Sequence, residues 1–546
     1  MNQSPKTICM VCTMWTSLAL GATLNVPSAQ YPTIQSGIDA AADGDTVQVA
    51  AGTFKEHLSW VSKRISLVGA GPSLTIVDGA DSGRCLRVEG VSDGARLEGF
   101  TLQRGYGVLA GGCIYCFDSD FVIRNCVIQY GYANRGGGIY CEESAPTIEN
   151  CTVSHNYPAQ DGIGICCWWS APTIVNCVIS HNYGPECYGA GVSCMWSDAT
   201  IVNCTISDNG GWDGVPSSGD GGGIFSGDSS TVIEGCTITN NEARWGGGVC
   251  IWGEGASIVR NCWISGNLGT RGGGIFCIDA SPDIRNCLIA DNTAWGDLYV
   301  GGGLYFHRSN ATVTNCTVTR NWAYQGAGIF NWSHMPEVRN SIVAGNFFTY
   351  TPGEYCNNFG ELQFHSCLVS EDPFFVDAEA GDFHLQDGSP CIDAGDNSYV
   401  NAGDTDLDGN PRVSGAAVDI GAYESPEPPA ILEVTIDIKP DTDPPNPINP
   451  NSNGVIPVAI LTTDTFDAAD VDWTTVRLAG ASVALRGKSN WLAHFEDVDG
   501  DGDDDLLVQV ETSTGSSWAP GTVELIGSTW GGVAIRGYDT VVLKPE

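Results

Sequence analysis

A unit of about 25 residues recurs through most of this chain, and this repeat limits the possible folds more than any other feature. Each copy is a short alternating segment around an Asn-Cys pair, as in TIVNCVISHN at 173–182 and TIVNCTISDN at 200–209. A unit this short cannot bury an apolar face alone, so the copies are expected to stack and share one core. The cysteine of the unit recurs at Cys126, Cys151, Cys177, Cys204, Cys236, Cys262, Cys287 and Cys316.

A glycine-rich turn separates successive units and is the second signature of the repeat. It reads GGGIYC at 136–141 and GGGIFC at 272–277. One period therefore holds three short stretches of alternating apolar character, and none of them has a helical period. Three short strands in each coil are typical of a parallel β-helix, which is the all-β architecture that the repeat predicts.

Stacking places equivalent residues of successive coils about 4.8 Å apart, so each repeated position becomes a column along the solenoid. Asparagine tolerates a left-handed backbone and can bond to its own image above and below, which predicts a structural ladder at one corner. Its members are Asn150, Asn176, Asn203, Asn261, Asn286, Asn315 and Asn340.

The cysteine columns are predicted to be small buried hydrophobic groups, and sporadic disulfides, for example at Cys356 or Cys391, are the alternative. Side chains in such a column lie parallel to one another, whereas a tetrahedral metal site needs convergent ligands. The second cysteine column contains Cys116, Cys141, Cys167, Cys194 and Cys277.

The N-terminus and the charge restrict compartment and partners. Residues 1–22 hold one basic residue, Lys6, and then a short apolar run ending in small residues, which predicts a secretory signal peptide, with an uncleaved anchor as the alternative. No later stretch is apolar enough to span a membrane, so the mature chain is expected to be exported.

With 24 Lys and Arg against 64 Asp and Glu, the formal charge is −40. Nucleic acids and anionic membranes are disfavoured, because both are bound by clustered basic residues.

The repeats end near residue 424, which divides the exported chain. The solenoid is predicted over 23–424, a Pro-rich linker over 425–430, and a small sandwich-like all-β module over 431–546. An amphipathic helical pattern at 31–42 would cover the open end of the first coil and protect its strand edges.

Three segments resemble known families. YPTIQSGIDAAADGDTVQVAAGTF at 31–54 resembles the N-terminal cap of right-handed parallel β-helix proteins of the pectate-lyase-like superfold. The Asn-ending units followed by GGGI resemble the repeats of polymorphic outer-membrane proteins, which are surface adhesins. VTIDIKP at 434–440 and GVIPVAILTT at 454–463 resemble an uncharacterised C-terminal module of secreted bacterial proteins. The resemblance implies a right-handed solenoid with a helical cap but no single activity, since this scaffold hosts lyases, hydrolases, adhesins and tail spikes.

The acidic segment DVDGDGDDD at 497–505 is the sharpest local motif. Oxygen ligands at alternate positions, with glycine at the sixth, are the arrangement that wraps Ca²⁺. A shorter copy at 404–408, with Arg412 at its ninth position, is a second candidate calcium site; a solvated acidic turn is the alternative for both. The predicted ligands are Asp497, Asp499, Asp501, Asp503 and Asp505 in the first loop, with Asp503 contributing its backbone carbonyl, and Asp404, Asp406 and Asp408 in the second.

In the strand after each glycine turn, the first and third residues are expected to point inward and the second and fourth outward. The outward positions are rich in aromatic residues, which predicts an aromatic sheet face on which sugar rings could stack. Alternatively, the rings only stabilise the sheet, or loops or the C-terminal module cover them. The candidate ligand-binding residues are Trp168, Trp252, Trp332, Tyr140, Phe276 and Tyr305.

Longer insertions at 210–220 and 293–300 flank this face and could line a groove. A hydrolase would need two carboxylates there at a defined separation, and a lyase would need a base with cationic groups. Nothing in the sequence singles out a pair, and the Gly-His-Gly and Arg-Ile-Lys motifs of polygalacturonases are absent. The catalytic candidates are Asp213, Asp220, Asp297, Arg244 and Arg271.

The sequence favours a secreted or cell-surface, calcium-stabilised monomer that binds extracellular carbohydrate or matrix in the manner of an adhesin. This function needs only the repeats, the aromatic face and the appended module. A polysaccharide lyase or glycoside hydrolase and a purely structural spacer are the alternatives.

Overall fold

The computed structural model describes residues 21–544 apart from 186, 212–218, 296–299, 349–357, 427–430, 441, 443, 450–453, 487–489 and 513–517. The chain divides into two compact units, one ending at Ser425 and the other beginning at Pro426. The predicted signal peptide, apart from its last two residues, lies outside the described residues, as does most of the predicted linker.

Three parallel sheets run along the first unit, and successive coils add one strand at a time to each sheet. Sheet A contains Thr23–Val26, Thr46–Val49, Ser66–Val68, Arg96–Glu98, Val122–Arg124, Thr147–Glu149, Thr173–Val175, Thr200–Val202, Val232–Glu234, Ile258–Arg260, Asp283–Arg285, Thr312–Thr314, Glu337–Arg339 and Gln363–His365. Sheet B contains Gly52–Phe54, Thr75–Asp78, Thr101–Gln103, Val127–Gln129, Thr152–Ser154, Val178–Ser180, Thr205–Ser207, Thr237–Thr239, Trp263–Ser265, Leu288–Ala290, Thr317–Thr319, Ile342–Val343 and Leu368–Val369. Sheet C contains Leu58–Val61, Leu86–Glu89, Ile114–Phe117, Ile139–Glu142, Ile165–Trp168, Val192–Met195, Ile224–Gly227, Val249–Trp252, Ile275–Ile278, Leu304–His307, Ile329–Asn331 and Asn358–Phe359.

Shorter elements complete the first unit. Two small parallel sheets are formed by strands that precede the sheet C strands along the chain. One contains Tyr106–Ala110, Tyr132–Arg135 and Tyr157–Asp161, and the other contains Leu268–Gly269, Thr293–Ala294, Trp322–Ala323 and Phe347–Phe348. The closing segment has an antiparallel hairpin and two 3-10 turns, formed by Phe375–Asp377, Asp382–Leu385, Ala378–Ala380 and Asn397–Tyr399.

The core is built of columns because strands of successive coils pair in constant register. Ile139 pairs with Ile165, and Ile165 with Val192, and all three side chains are fully buried. β-branched side chains are stiff and pack well on a pleated surface, so the inward positions favour strands as well as burial. The predicted all-β parallel solenoid is confirmed.

The corner between sheets A and B has the left-handed backbone predicted for its asparagines, with φ of 54° at Asn150 and 53° at Asn176. The prediction that this column bonds to its own image was wrong. The buried Oδ1 atoms of Asn261, Asn286 and Asn315 have no hydrogen-bond partner among the described residues. Asn286 and Asn340 instead donate from Nδ2 to the carbonyls of Thr405 and Asp396 in the closing segment.

The amide ladder lies in another column, at the asparagine that ends each unit. Asn182 donates from Nδ2 to Oδ1 of Asn209 at 2.9 Å and to the carbonyl of Val153 at 3.0 Å. These side chains are at most 1% exposed, and a polar group so deeply buried must be paired inside the protein. The ladder consists of Asn156, Asn182, Asn209, Asn241, Asn267, Asn292, Asn321 and Asn346.

The cysteines of the described residues are free thiols, and all except Cys367 are buried. Thiols of the first column donate to the carbonyl two residues earlier, as Cys151 does to Glu149 at 3.3 Å. The prediction of buried, unpaired thiols in columns is confirmed for this part of the chain.

A short α-helix of about two turns, Ile34–Ala40, follows the first strand. Thr33 caps it, since its side chain accepts from the backbone N–H of Ser36 and the Ser36 hydroxyl accepts from the Thr33 N–H. Ile34 and Ile38 are buried and belong to the same apolar cluster as the solenoid core. No helix among the described residues has the length and apolar character that a membrane crossing requires.

The second unit has two main sheets that contribute to one apolar cluster, which includes Ile438 and Val458 from one sheet and Val476 and Leu525 from the other. The six-stranded sheet contains Leu432–Glu433, Asn446–Ile448, Val471–Leu478, Ala481–Ser482, Gly521–Thr529 and Ala534–Leu543. The four-stranded sheet contains Ile436–Ile438, Val455–Ile460, Ala493–Glu496 and Asp505–Glu511. The remaining elements are the 3-10 turn Ala468–Asp470 and the paired strands Leu485–Arg486 and Asn490–Trp491.

Candidate functional site

The aromatic positions of sheet C do not form one open face, which corrects the expectation from strand alternation. Tyr140, Phe276 and Tyr305 point away from the inner core, but they are only 3%, 1% and 5% exposed. Phe276 and Tyr305 stack at 4.9 Å within a second apolar cluster outside the solenoid core. These three predicted ligand-binding residues therefore serve as packing groups in this structure.

Residues that immediately precede the glycine turns form the cover over these rings. The Trp245 ring stacks on Phe276, with ring centroids 5.2 Å apart. The backbone of Trp245 forms an isolated parallel β-bridge with Arg271 of the next coil. Gly272 then reverses the chain with φ of 62°, where a Cβ would lie 2.6 Å from the Ile275 carbonyl oxygen. Alternation describes a single strand and cannot show that the preceding segment folds back over it. The covering column contains Ala110, Arg135, Asp161, Tyr188, Asp220, Trp245, Arg271 and Val300.

One group of exposed rings lies at the carboxyl ends of two neighbouring strands of sheet C, Ile165–Trp168 and Val192–Met195. This tryptophan cluster is formed by Trp168, Trp169 and Trp196. The rings of Trp169 and Trp196 stack at 5.6 Å and are 54% and 44% exposed. Trp168 stands edge-on to Trp196 at 5.1 Å and is half-buried. Trp169 and Trp196 occupy the same left-handed corner position of neighbouring coils. The sequence analysis missed both, although each directly follows the fourth position of its strand.

The other predicted tryptophans lie apart from this cluster. Trp252, 38% exposed, shares the column of Trp168 but is three strands further along, because Met195 and Gly227 separate them. The spacing of strands places roughly 14 Å between the two positions. Trp332 is 66% exposed and directly follows the strand Ile329–Asn331.

A cleft of about 530 Å³ adjoins the tryptophan cluster and contains three of the chain's 24 basic residues. Arg84 donates from Nε to the Ala110 carbonyl at 3.0 Å, and its guanidinium lies 5.0 Å from the Tyr115 ring centroid. Burial lowers the pKa of Arg84. Arg135 lies over the Trp168 ring at 4.2 Å and so connects cleft and cluster. The charged groups of the cleft are Arg84, Arg87, Arg135, Glu89 and Glu142.

Of the catalytic candidates, the structure brings Asp220, Arg244 and Arg271 together around Trp245. Asp220 is 5% exposed, and its Oδ1 has no hydrogen-bond partner among the described residues. Burial raises the pKa of Asp220 to about 7, against the lowering effect of the Arg244 charge. Arg244 and Arg271 lie 4.6 Å and 5.6 Å from the Trp245 ring. The other candidates, Asp213 and Asp297, lie outside the described residues.

Loop 497–505 gathers part of its predicted calcium ligand set. Asp497, Asp499 and Asp501 offer oxygens that all lie within 4.8 Å of one another. Two oxygens bound to one Ca²⁺ at about 2.3–2.6 Å can lie this far apart, so the three carboxylates fit the ion. Loss of solvent, together with the charges of Asp501 and Asp505, raises the pKa of Asp499.

Asp505 has a different role from the one predicted. Its Oδ1 accepts from the Thr462 N–H at 2.7 Å and its Oδ2 from the Val498 N–H at 3.0 Å, so this buried carboxylate closes the loop from beneath. Asp503 is exposed, and its N–H donates to Asp501. The carboxylate of Asp505 therefore supports the loop, and the side-chain ligands that converge are those of Asp497, Asp499 and Asp501.

The second acidic loop does not bring its three carboxylates together as ligands. Asp406 is buried and accepts from the N–H groups of Asp408, Asn410 and Glu424. Asp404 accepts a hydrogen bond from the Asn401 N–H at 2.9 Å. Oδ2 of Asp408 lies within hydrogen-bond distance of Nε2 of His384, at 2.7 Å.

Buried Arg412 provides the positive charge of this region. It lies 3.1 Å from the Glu424 carboxylate, and burial raises the pKa of Glu424 to about 8. The sequence placed Arg412 at a ligand position of the loop, and its guanidinium balances the acidic groups there.

The family described as the right handed beta helix region matches residues 84–244 and 215–348, which together are just under half of the chain. The solenoid is a right-handed parallel β-helix. No curated protein matches the sequence of this β-helix chain.

Solved structures similar to the β-helix chain include three proteins. The mannuronan C-5 epimerase AlgE6 A-module of Azotobacter vinelandii is 15% identical, with a TM-score of 0.41, over 62% of this chain and 94% of that one. Pectin methylesterase from Yersinia enterocolitica is 10% identical, with a TM-score of 0.26, over 51% and 90%. The active domain of tailspike protein 2 of bacteriophage CBA120 is 13% identical, with a TM-score of 0.27, over 96% and 71%. Similarities this weak assign no activity to the β-helix.

Proposed function

We propose that this protein is an exported, calcium-stabilised β-helix that binds extracellular carbohydrate through the tryptophan cluster and the adjoining cleft. The observation that carries the proposal is the exposure of two stacked indoles, Trp169 and Trp196, on neighbouring coils. Aromatic side chains in water are stabilised by a partner surface, and contiguous exposed apolar patches mark binding sites. The C–H face of a sugar ring is such a surface.

The tryptophan cluster stands on hydrogen-bonded strands. Trp168 belongs to a strand paired on both sides, and Trp169 and Trp196 continue that ladder at the corner. Arg135 is held by Asp161 at 3.2 Å as well as by the Trp168 ring. A preorganised surface loses little conformational entropy on binding, which favours affinity.

The cleft supplies the polar contacts that a sugar needs. Guanidinium groups donate several hydrogen bonds in a fixed plane, and the carboxylates of Glu89 and Glu142 accept from hydroxyls. Polar groups placed around an apolar platform fix the orientation of a ligand.

Export, calcium and the end structures belong to the same proposal. Residues 1–22 support export, and the convergence of Asp497, Asp499 and Asp501 supports a bound calcium ion. The helix Ile34–Ala40 acts as the cap of the first coil, and the two sheets of the second unit form a β-sandwich around their shared cluster.

Glycan-array screening of the intact protein, followed by affinity electrophoresis in the best soluble glycan, tests the function. We expect Trp169→Ala and Trp196→Ala each to reduce retardation in the gel. Trp263→Ala is the matched control, because Trp263 is 36% exposed but lies on sheet B. Equal retardation of the three variants and the parent protein would reject the site.

An enzymatic function is the second candidate, and Asp220 is the observation that favours it. A carboxyl group with a pKa of about 7 can donate a proton near neutral pH, as a general acid must. Release of reducing or unsaturated ends from polysaccharides, abolished by Asp220→Asn, would establish this function; no release from any bound glycan would leave binding as the activity.

A further inference from the structure

The second unit has an exposed aromatic cluster of its own, the module cluster, formed by Trp473, Phe495 and Trp530. Trp530 and Phe495 both stand edge-on to Trp473, with centroids 5.1 Å and 6.2 Å away. Trp473 is half-buried and packs against the apolar core of this unit. Trp530 is 57% and Phe495 40% exposed, so two ring faces are presented on a fixed base.

Hydrogen bonds connect the turn below Trp530 to the acidic loop 497–505. The Trp530 N–H donates to the carbonyl of Asp470 at 2.7 Å, at the end of the 3-10 turn Ala468–Asp470. The Ala468 N–H at the start of that turn donates to the Thr462 hydroxyl at 3.1 Å. The Thr462 hydroxyl donates to the Asp504 carbonyl at 2.8 Å.

Phe495 is joined to the same loop by the chain itself. It lies two residues before Asp497, in the strand Ala493–Glu496, and pairs with Leu506 on the strand that leaves the loop. Both exposed rings of the module cluster are therefore braced by the loop in which we propose a calcium ion. These bonds are the path by which order in the loop would hold the two rings in position.

The charge around the module cluster selects the class of ligand. Segments 462–475 and 490–505 contain acidic residues, and neither they nor segment 527–533 contain lysine or arginine. The nearby guanidinium of Arg477 is engaged by the carbonyls of Thr474 and Val476. An anionic ligand would be repelled. Only two of the three rings are exposed, whereas a cage for an ammonium group needs several ring faces around the cation.

We infer that the module cluster is a second binding site, which takes an uncharged sugar ring. The apolar face of the sugar lies on Trp530 and Phe495, and its hydroxyls donate to neighbouring carboxylates such as Glu496. The site is independent of the tryptophan cluster on the β-helix, because it is built wholly from the second unit. A calcium ion in loop 497–505 strengthens binding by holding the two rings in place.

Affinity electrophoresis of the intact protein in gels containing hydroxyethyl cellulose or galactomannan, both neutral and soluble, tests this site. The parent for the test is the Trp169→Ala, Trp196→Ala double variant, so that only the module cluster contributes. We expect at least a tenfold rise in the dissociation constant for Trp530→Ala and for Phe495→Ala, and weaker binding when a chelator removes calcium. Tyr538→Ala is the control, since Tyr538 is 49% exposed and pairs with Glu524, six residues from Trp530 along the neighbouring strand.

Each outcome decides the matter. Unchanged binding of both Trp530→Ala and Phe495→Ala, or retention by neither neutral polysaccharide, overturns the site, as does retention only by polylysine or a uronate polymer. Thermal unfolding of each variant separates lost binding from lost folding. Failure of the β-helix site would instead appear as equal binding of the double variant and the natural protein, with the Trp530 effect intact.

Discussion

The side-chain amide of Asn209 donates from Nδ2 to Oδ1 of Asn241, one coil further along, at 2.9 Å. Asn241 donates in turn to Asn267 at 3.0 Å, and the bonds continue from Asn156 to Asn346. Such a buried polar network is favourable only when every member is paired. The ladder therefore fixes the coils in one register.

Asn241→Ala should destabilise the β-helix strongly. The Nδ2 and the backbone N–H of Asn209 would both lose their acceptor, and a stranded buried donor costs about 1–3 kcal/mol. Thermal and urea unfolding measure the effect. Asn240→Gly is the control, because Asn240 has a left-handed backbone that glycine adopts freely. An equal loss of stability in both variants would contradict the role of the ladder.

Calcium should raise the unfolding temperature of the protein, because a ligand that binds only the folded state stabilises it. Asp501→Asn should abolish this response, since Asp501 is one of the three converging carboxylates. Asp404→Asn should leave it unchanged, because Asp404 is engaged by Asn401. Thermal scans with calcium and with chelator make the comparison. A calcium response lost in Asp404→Asn but kept in Asp501→Asn would reverse the assignment.

The unfolding temperature should fall as the pH is lowered below 6.5, and His155 should contribute to this loss of stability. Burial, and then the charge of stacked His181, lower the pKa of His155 from its ordinary 6.5. Its contribution is complete above pH 6.5 and is lost as the pH falls through that value towards the folded-state pKa. His155→Asn should flatten this part of the profile of unfolding temperature against pH, and Asn240 shows that the corner accepts asparagine.

His384 provides the control of opposite sign. Its burial lowers the pKa, but hydrogen bonds with Asp408 and Asp382 outweigh that effect and raise it above 6.5. Stability from this group is complete below pH 6.5 and is lost as the pH rises through the folded-state pKa. A loss of acid sensitivity in His384→Asn rather than in His155→Asn would contradict both assignments.

Asp220→Asn should stabilise the protein above pH 7. Because the folded-state pKa is about 7 against an ordinary 3.8, ionisation of Asp220 opposes folding, and stability falls between those values as the pH rises. The unfolding temperatures of variant and parent should agree at pH 4 and diverge at pH 8. Asp118→Asn, at an exposed position, should differ little at either pH. A destabilising Asp220→Asn at pH 8 would show that the carboxylate is paired.

The sequence predicts the coils, the buried cysteine columns and the inward positions because each depends on local alternation and on a fixed repeat. The asparagine ladder was assigned to the wrong column for a physical reason. Both Asn150 and Asn156 recur with the repeat, and only the backbone path shows that one makes the corner while the other points inward.

The site was less accessible to sequence reasoning than the fold. Tyr140 and Phe276 were expected to be open, because alternation gives the direction of a side chain but not the segment that folds over it. Trp168 was identified, whereas Trp169 and Trp196 were missed because they occupy the corner after the strand. In the acidic loop, the motif fixed the spacing of Asp505 but not the donation by Thr462 that makes it a structural clamp.

Calorimetric titration shows whether the two exposed indoles bind carbohydrate. The best glycan from the array is titrated into the intact protein and into its Trp169→Ala, Trp196→Ala double variant. We expect at least a tenfold weaker affinity for the double variant, which corresponds to about 1.4 kcal/mol, with the Trp263→Ala control unchanged. An affinity of the double variant equal to that of the natural protein would contradict carbohydrate binding at the tryptophan cluster.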